Sequence, residues 1–367
     1  MKILISPSVV LTLDYHNNLL LKKINLLLGT NLTSKLTLVN GEMNHYGDII
    51  SILGSKNVFF LDSIHESYFA KNSNYFSDLY ERYPSSFFFK KPNFIKIKEI
   101  YNQNVNFDFF LISSQSKNKN FELINYFKKK NVKIGLFDKV DDTLVYQNHN
   151  SFFKKYNINH FDIIFKQDVP LDLNCRKIIP IAPVPCRINI IKISNKIKKN
   201  LITSFVGDYR KNITRFDRVD IINFFKKNFG KDCFFHFNKD KYLKREKLSS
   251  LLLNSLINLS PSGKVWDSYR HCEFVNYGKP ILLPAPDCKT ADGKFIDMKN
   301  CIFYKTKVIN NKHYVIDKSS LLKKIKEFLS NEKLRLSMYD NYYSLIKNHH
   351  TRLKRAMYIK NNIQKLF

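Results

Sequence analysis

The sequence predicts an α/β protein built from two doubly wound domains that face each other across a cleft. Three observations predict this class. Short apolar runs ending in polar loops alternate with helix-like segments, the pattern of parallel strands joined by crossover helices. That pattern runs through the first half of the chain, is interrupted by prolines and a basic linker, and restarts at Leu201. The length of 367 residues, with 44% hydrophobic content, supplies material for two cores of ordinary size.

The first series places strands at residues 2–6, 58–61, 109–112, 132–137, 162–165 and 178–182, with a helix over 120–130. Ala182-Pro183-Val184-Pro185 then stops regular structure, because proline lacks an amide donor and restricts the residue before it. After the linker at 192–200 a new strand runs from Leu201 to the glycine at 207. Helices at 215–228 and 243–254 alternate with strands at 233–237, 257–259, 280–283 and 302–304, and the end is helical over 320–329, 332–346 and 352–365. The expected division is a Rossmann-like domain at 1–190, a second at 200–345, and a terminal helix within 346–367 that is long enough to cross back to the first. In tandem sheets of this kind, ligands bind just outside the carboxyl ends of the strands.

Composition removes several alternatives. No apolar run approaches the roughly 20 residues of a membrane-spanning helix, and the opening Met1-Lys2-Ile3-Leu4-Ile5-Ser6 reads as a strand without the features of a secretory leader, so a cytoplasmic protein is expected. The six cysteines are scattered without a C-x-x-C pair, which suggests reduced thiols and no zinc knuckle. The formal net charge of +30 invites a nucleic-acid reading, since lysines neutralise phosphates. The lysines, however, are spread along the whole chain among many asparagines, as a codon bias toward A and T would leave them. That distribution argues against nucleic acid and leaves peripheral contact with an anionic membrane surface as an equal use of the same charge.

The densest chemical signal runs from Leu259 to Leu283. A strand ends near Leu259, a turn follows at Ser260-Pro261-Ser262-Gly263, and a helix is expected to begin near Ser268, with Asp267 or Ser268 as N-cap. Backbone amides at the helix start, the glycine beside them and Arg270 in the first turn suit an anion such as diphosphate. Glu273, three residues on and on the same face, can accept hydrogen bonds from ribose hydroxyls. Gly278 and Pro280 then close the helix and open the next strand. The competing view is an exposed Arg270–Glu273 ion pair of a few tenths of a kcal/mol, with Trp266 packed in the core.

At these residues the chain resembles the donor-binding half of the GT-B glycosyltransferases, particularly their bacterial group-1-like and exostosin-like members. Those proteins carry a strand, a Pro/Gly turn, an aromatic-Arg pair, a Glu three residues after the Arg, and Gly-x-Pro before an apolar strand. The resemblance covers roughly residues 201–304. It implies that Arg270 contacts the donor diphosphate and Glu273 the donor ribose. It also gives a role to the turn at Gly207, where close backbone approach to phosphate is supported by Arg210 or Lys211. The expected donor-binding set is therefore Gly207, Arg210, Lys211, Ser262, Gly263, Lys264, Tyr269, Arg270 and Glu273. Many retaining members carry an acid eight positions before the ribose-binding one. Val265 stands there in this chain, so the stereochemical outcome stays open.

On the acceptor side an inverting transfer needs a general base. Asp62 and His65 after one strand, and Asp138 and Asp142 after another, are the candidates, although each can equally be a loop charge or a cap. The aspartates at 138–142 suit Mg²⁺ in type, but they belong to the opposite domain from the diphosphate site, and no essential metal or other cofactor is expected. The ten histidines show no paired ligand spacing, and His349 and His350 read as surface residues. The reading is a glycosyltransferase that moves a sugar from a nucleoside-diphosphate donor to a hydroxyl on a glycan, lipid-linked glycan or protein. The alternative is a non-enzymatic basic protein that binds nucleic acid or an anionic membrane on a Rossmann-like scaffold.

Overall fold

The structure is a computed structural model and describes residues 1–6, 11–13, 36–38, 49–61, 93–103, 105–114, 121–138, 153–154, 157–182, 188–191, 200–206, 217–237, 245–262, 266, 268, 270–310 and 312–367. A short antiparallel ladder, β2 (Leu11–Leu13) with β3 (Leu36–Leu38), falls in sequence between β1 (Ile3–Ser6) and β4 (Val58–Leu61). The strands β5 (Asn93–Ile95), β6 (Phe109–Ser113), β7 (Lys133–Asp138), β8 (Ile163–Gln167) and β10 (Ile178–Ile181) join β1 and β4 in a seven-stranded sheet of order β10-β8-β7-β6-β1-β4-β5. Every neighbouring pair in it is parallel.

The near-continuous apolar runs in these strands follow from that topology, since a parallel sheet is covered on both faces. One face packs Ile3, Ile5, Phe60, Phe109, Leu111 and Phe165 against Ile49 of α1 (Ile49–Leu53). The other packs Leu4, Phe110, Ile112 and Leu136 against Ile100 of α2 (Ile97–Asn102) and Leu123, Ile124 and Phe127 of α3 (Phe121–Lys129). Gly135 on β7 makes room for a neighbouring ring, because a Cβ there would lie 2.5 Å from Phe109 Cζ.

The second sheet is formed by β11 (Asn200–Val206), β12 (Cys233–Phe237), β13 (Ser255–Leu259), β14 (Ile281–Pro284), β16 (Ile302–Ile309) and β17 (Lys312–Ile316) in the order β12-β11-β13-β14-β16-β17. All are parallel except β17, which folds back on β16 as a hairpin. One face is covered by α4 (Asp217–Phe229) and α7 (Lys318–Ser330), through Ile221, Phe225, Ile325 and Phe328. The other is covered by α5 (Arg245–Leu253), the short α6 (Arg270–Glu273) and α8 (Glu332–His349), with Leu252, Cys272, Tyr342 and Ile346 in contact with Ile281 and Leu283.

Two connections tie the sheets together. Immediately after β8, β9 (Val169–Pro170) pairs antiparallel with β15 (Cys288–Lys289), and Lys289 Nζ donates to Leu173 O at 2.6 Å. The last helix, α9 (Arg352–Gln364), puts Ala356, Ile359 and Ile363 into the core of the first sheet, and Tyr358 Oη donates to Pro180 O at 3.0 Å. At the crossing, His350 is buried rather than on the surface as its sequence context suggests. It is held there because Nε2 donates to Gly293 O, Nδ1 accepts from Arg355 Nη2, and the ring stacks on Phe295. Among the described residues no helix is long and apolar enough to cross a membrane.

Candidate functional site

Each sheet has one place where the chain reverses its direction of strand addition, and the crevice beyond the carboxyl ends there is where open α/β sheets hold ligands. In the first sheet the reversal lies between β1 and β6; in the second it lies between β11 and β13. Three stretches meet at the second reversal. α4, which follows β11, begins there with Asp217 and Arg218. The segment leaving β13 begins there with Ser260, and its continuation leads into α6 with Arg270.

Asp217 is fully buried at the start of a 13-residue helix, a location that favours a carboxylate, and accepts from Tyr304 Oη of β16 at 3.1 Å. Arg218 Nε donates to Ser262 O at 2.6 Å, a charge-assisted bond that joins α4 to the turn. Ser260 remains attached to the sheet through its amide, which donates to Leu282 O at 2.8 Å, and its Oγ lies 2.8 Å from His271 Nδ1. Trp266 is packed in the core, with Nε1 donating to Pro284 O. Ser262 is fully buried, yet its Oγ has no hydrogen-bond partner.

Arg270 and Glu273 share one short helix, and both are half-buried. Ser268 Oγ accepts from Arg270 N at 3.4 Å, as an N-cap side chain does. The regular helix expected from Ser268 onward is shorter: α6 has four residues and tightens into a 3₁₀ turn over Phe274–Tyr277, which Gly278 ends in the left-handed region at φ 65°. Three residues per turn eclipses positions i and i+3, and this lets the Phe274 and Tyr277 rings meet edge-on at 6.0 Å in the core. A four-residue helix carries little macrodipole, so the anion-binding argument rests on α4 and on side chains, not on the start of α6.

Asp138, proposed from sequence as a base, sits at the end of β7 with a fully buried carboxylate. Lys166 Nζ on β8 lies 3.3 Å from its Oδ2, also fully buried, and Ser114 Oγ donates to its Oδ1 at 2.8 Å. Such a carboxylate is engaged in structure. Asp62, His65, Asp142, Gly207, Arg210, Lys211, Gly263, Lys264 and Tyr269 lie outside the described residues. Arg218 and His271, which join the segment after β13, and Asp217, which bonds Tyr304, are not singled out by the sequence reading; an arginine in the first turn of the helix after β11 was the one available signal. Among the described residues no group of three or more His, Cys, Asp or Glu side chains is placed to hold a metal ion.

No protein-family model matches the chain, and no curated protein matches it in sequence. Solved structures do match in fold. Anabaena Alr3699/HepE in complex with UDP aligns over 100% of both chains at 9% identity and a TM-score of 0.54, and the same protein with UDP-glucose over 100% of both at 8% and 0.51. A GtfA/B complex aligns over 73% of this chain at 10% identity and a TM-score of 0.46, and this chain spans only 59% of that one. At such identities the likeness is one of fold, and the fold is that of the GT-B glycosyltransferases.

Proposed function

We propose that this protein is a glycosyltransferase that binds a nucleoside-diphosphate sugar at the carboxyl edge of its second sheet and passes the sugar to a hydroxyl acceptor on a glycan, lipid-linked glycan or protein. The observation that carries the proposal is the meeting at the β11/β13 reversal of the start of a long helix, its Arg218 and a buried serine hydroxyl without a partner, on the segment that leads into α6 and Arg270. A buried hydroxyl left unmade costs about 1–3 kcal/mol, a cost that a ligand oxygen would remove. HepE, which shares the fold, was solved with UDP and with UDP-glucose.

In this reading Arg270 balances the charge that develops on the departing diphosphate, and Glu273 accepts from ribose hydroxyls. Ser262, Gly263, Lys264 and Tyr269, together with Gly207, Arg210 and Lys211, are the residues we propose for the phosphate side. Asp138 is committed to Lys166 and Ser114, so Asp62, His65 and Asp142 are the bases we propose for the acceptor hydroxyl. The cations at this edge supply the positive charge that leaving-group stabilisation needs, and catalysis is accordingly proposed to need no metal.

A panel of nucleoside-diphosphate sugars, assayed for release of the nucleoside diphosphate with and without EDTA, tests both statements. Release from one donor, undiminished by EDTA, is expected. Failure of every donor and every free nucleotide to bind, together with steeply salt-dependent oligonucleotide binding, would favour the basic binding-protein reading that the net charge of +30 permits.

A further inference from the structure

The segment that leaves β13 is gripped from two directions by side chains that are not among the expected donor-binding residues. From α4, Arg218 Nε holds the Ser262 carbonyl. From α6, the buried ring of His271 bridges two points of the segment: Nδ1 lies 2.8 Å from Ser260 Oγ and Nε2 lies 2.9 Å from Trp266 O. A backbone carbonyl can only accept, so Nε2 carries a proton; in the neutral ring Nδ1 is then an acceptor, and the Ser260 hydroxyl donates to it. The imidazole thus acts as a strut with one defined tautomer.

Each anchorage is itself fixed. Ser260 N and Trp266 Nε1 both donate to β14 carbonyls, those of Leu282 and Pro284. Tyr342 Oη of α8 donates to His271 O at 2.7 Å, and Trp266 packs against the imidazole at 4.9 Å between ring centroids. Behind Arg218, the helix start is secured by the buried Asp217–Tyr304 bond.

We propose that Arg218 and His271 are positioning residues that hold Ser260, the Ser262 carbonyl and Trp266 in place for diphosphate binding before the donor arrives. This rests on the donor-site reading above and deepens it: part of the donor affinity comes from groups that shape the segment through its carbonyls and a serine hydroxyl. Lysine at 218 keeps the charge but lacks the planar fork whose Nε makes the present bond. Asparagine at 271 can retain an acceptor toward Ser260, and glutamine a donor toward Trp266, but neither spans both.

The test is calorimetric titration of the full chain with whichever of UDP, GDP and ADP binds it most tightly, with folding checked by circular dichroism and thermal midpoint. Arg218→Lys, on a half-buried side chain, is expected to weaken nucleotide binding about tenfold, the loss of one charge-assisted bond, with an unchanged midpoint. His271→Asn and His271→Gln are expected to fall between the wild type and His271→Ala. With a donor sugar, KM should rise more than kcat falls. If Arg270→Ala weakens binding while folded Arg218→Lys titrates like the wild type, positioning by Arg218 is wrong and the site reading stands. If no nucleotide binds the wild type, or Arg270→Ala also leaves binding unchanged, the site reading fails and this proposal fails with it.

Discussion

The carboxyl edges of the two sheets differ in what their charges face. At the first, Asp138 and Lys166 neutralise each other, with Ser114 completing the carboxylate. At the second, Arg218 holds the Ser262 carbonyl at the strand-order reversal while the buried Ser262 hydroxyl has no partner. The first arrangement is inward-looking and costly to disturb; the second contains a buried hydroxyl whose hydrogen-bonding capacity is unused. Both edges obey one topological rule, so topology says where a ligand belongs, and the state of the buried polar groups distinguishes the two edges.

Substitutions should separate the two edges, beginning with the largest effect. Lys166→Ala strands a buried carboxylate and should destabilise the fold by about 3–5 kcal/mol in urea titration, while the folded fraction still binds nucleotide. Loss of binding without loss of stability would erase the distinction drawn here. At the second edge, Glu273→Ala should raise donor KM with about 1–2 kcal/mol of lost binding, as a hydrogen bond to a charged acceptor would, and leave the urea midpoint in place.

The smallest effect concerns the crossing between the sheets. Burial, then the nearby Arg355 charge, pushes His350 down from 6.5 to about 3, so the folded chain holds it neutral. As pH falls the unfolded chain takes up this proton first. The contribution is whole above about pH 6.5 and is lost progressively toward about pH 3. Stability should therefore fall more steeply between about pH 7 and about pH 4.5 in the wild type than in His350→Asn, measured by urea titration at each pH. Equal slopes would show that His350 does not report on the crossing.

The sheets were readable from sequence because parallel strands buried on both faces appear as unbroken apolar runs; the run at 58–61 coincides with β4, and that at 109–112 lies within β6. The two-residue pairing of β9 with β15 was not readable, since two residues display no period. The shortness of α6 was hidden too, because a 3₁₀ turn uses residues that suit an α-helix and is set here by the burial of Phe274 and Tyr277. At the site, spacing within one segment led to Arg270 and Glu273. Arg218 resembles any helix-surface arginine until the adjacency of β11 and β13 brings it to Ser262. Asp138 resembled a base because an acid at a strand end gives no hint that a lysine on the next strand engages it.

The central claim is that nucleoside diphosphate binds at the edge of the second sheet through Arg270, and direct calorimetric titration of the wild type and Arg270→Ala tests it most directly. The account predicts saturable one-site binding to the wild type, with affinity for the same nucleotide weakened about 10- to 100-fold in Arg270→Ala, the equivalent of about 1.5–3 kcal/mol for a hydrogen bond to a charged group. Equal affinity in the two proteins would contradict it.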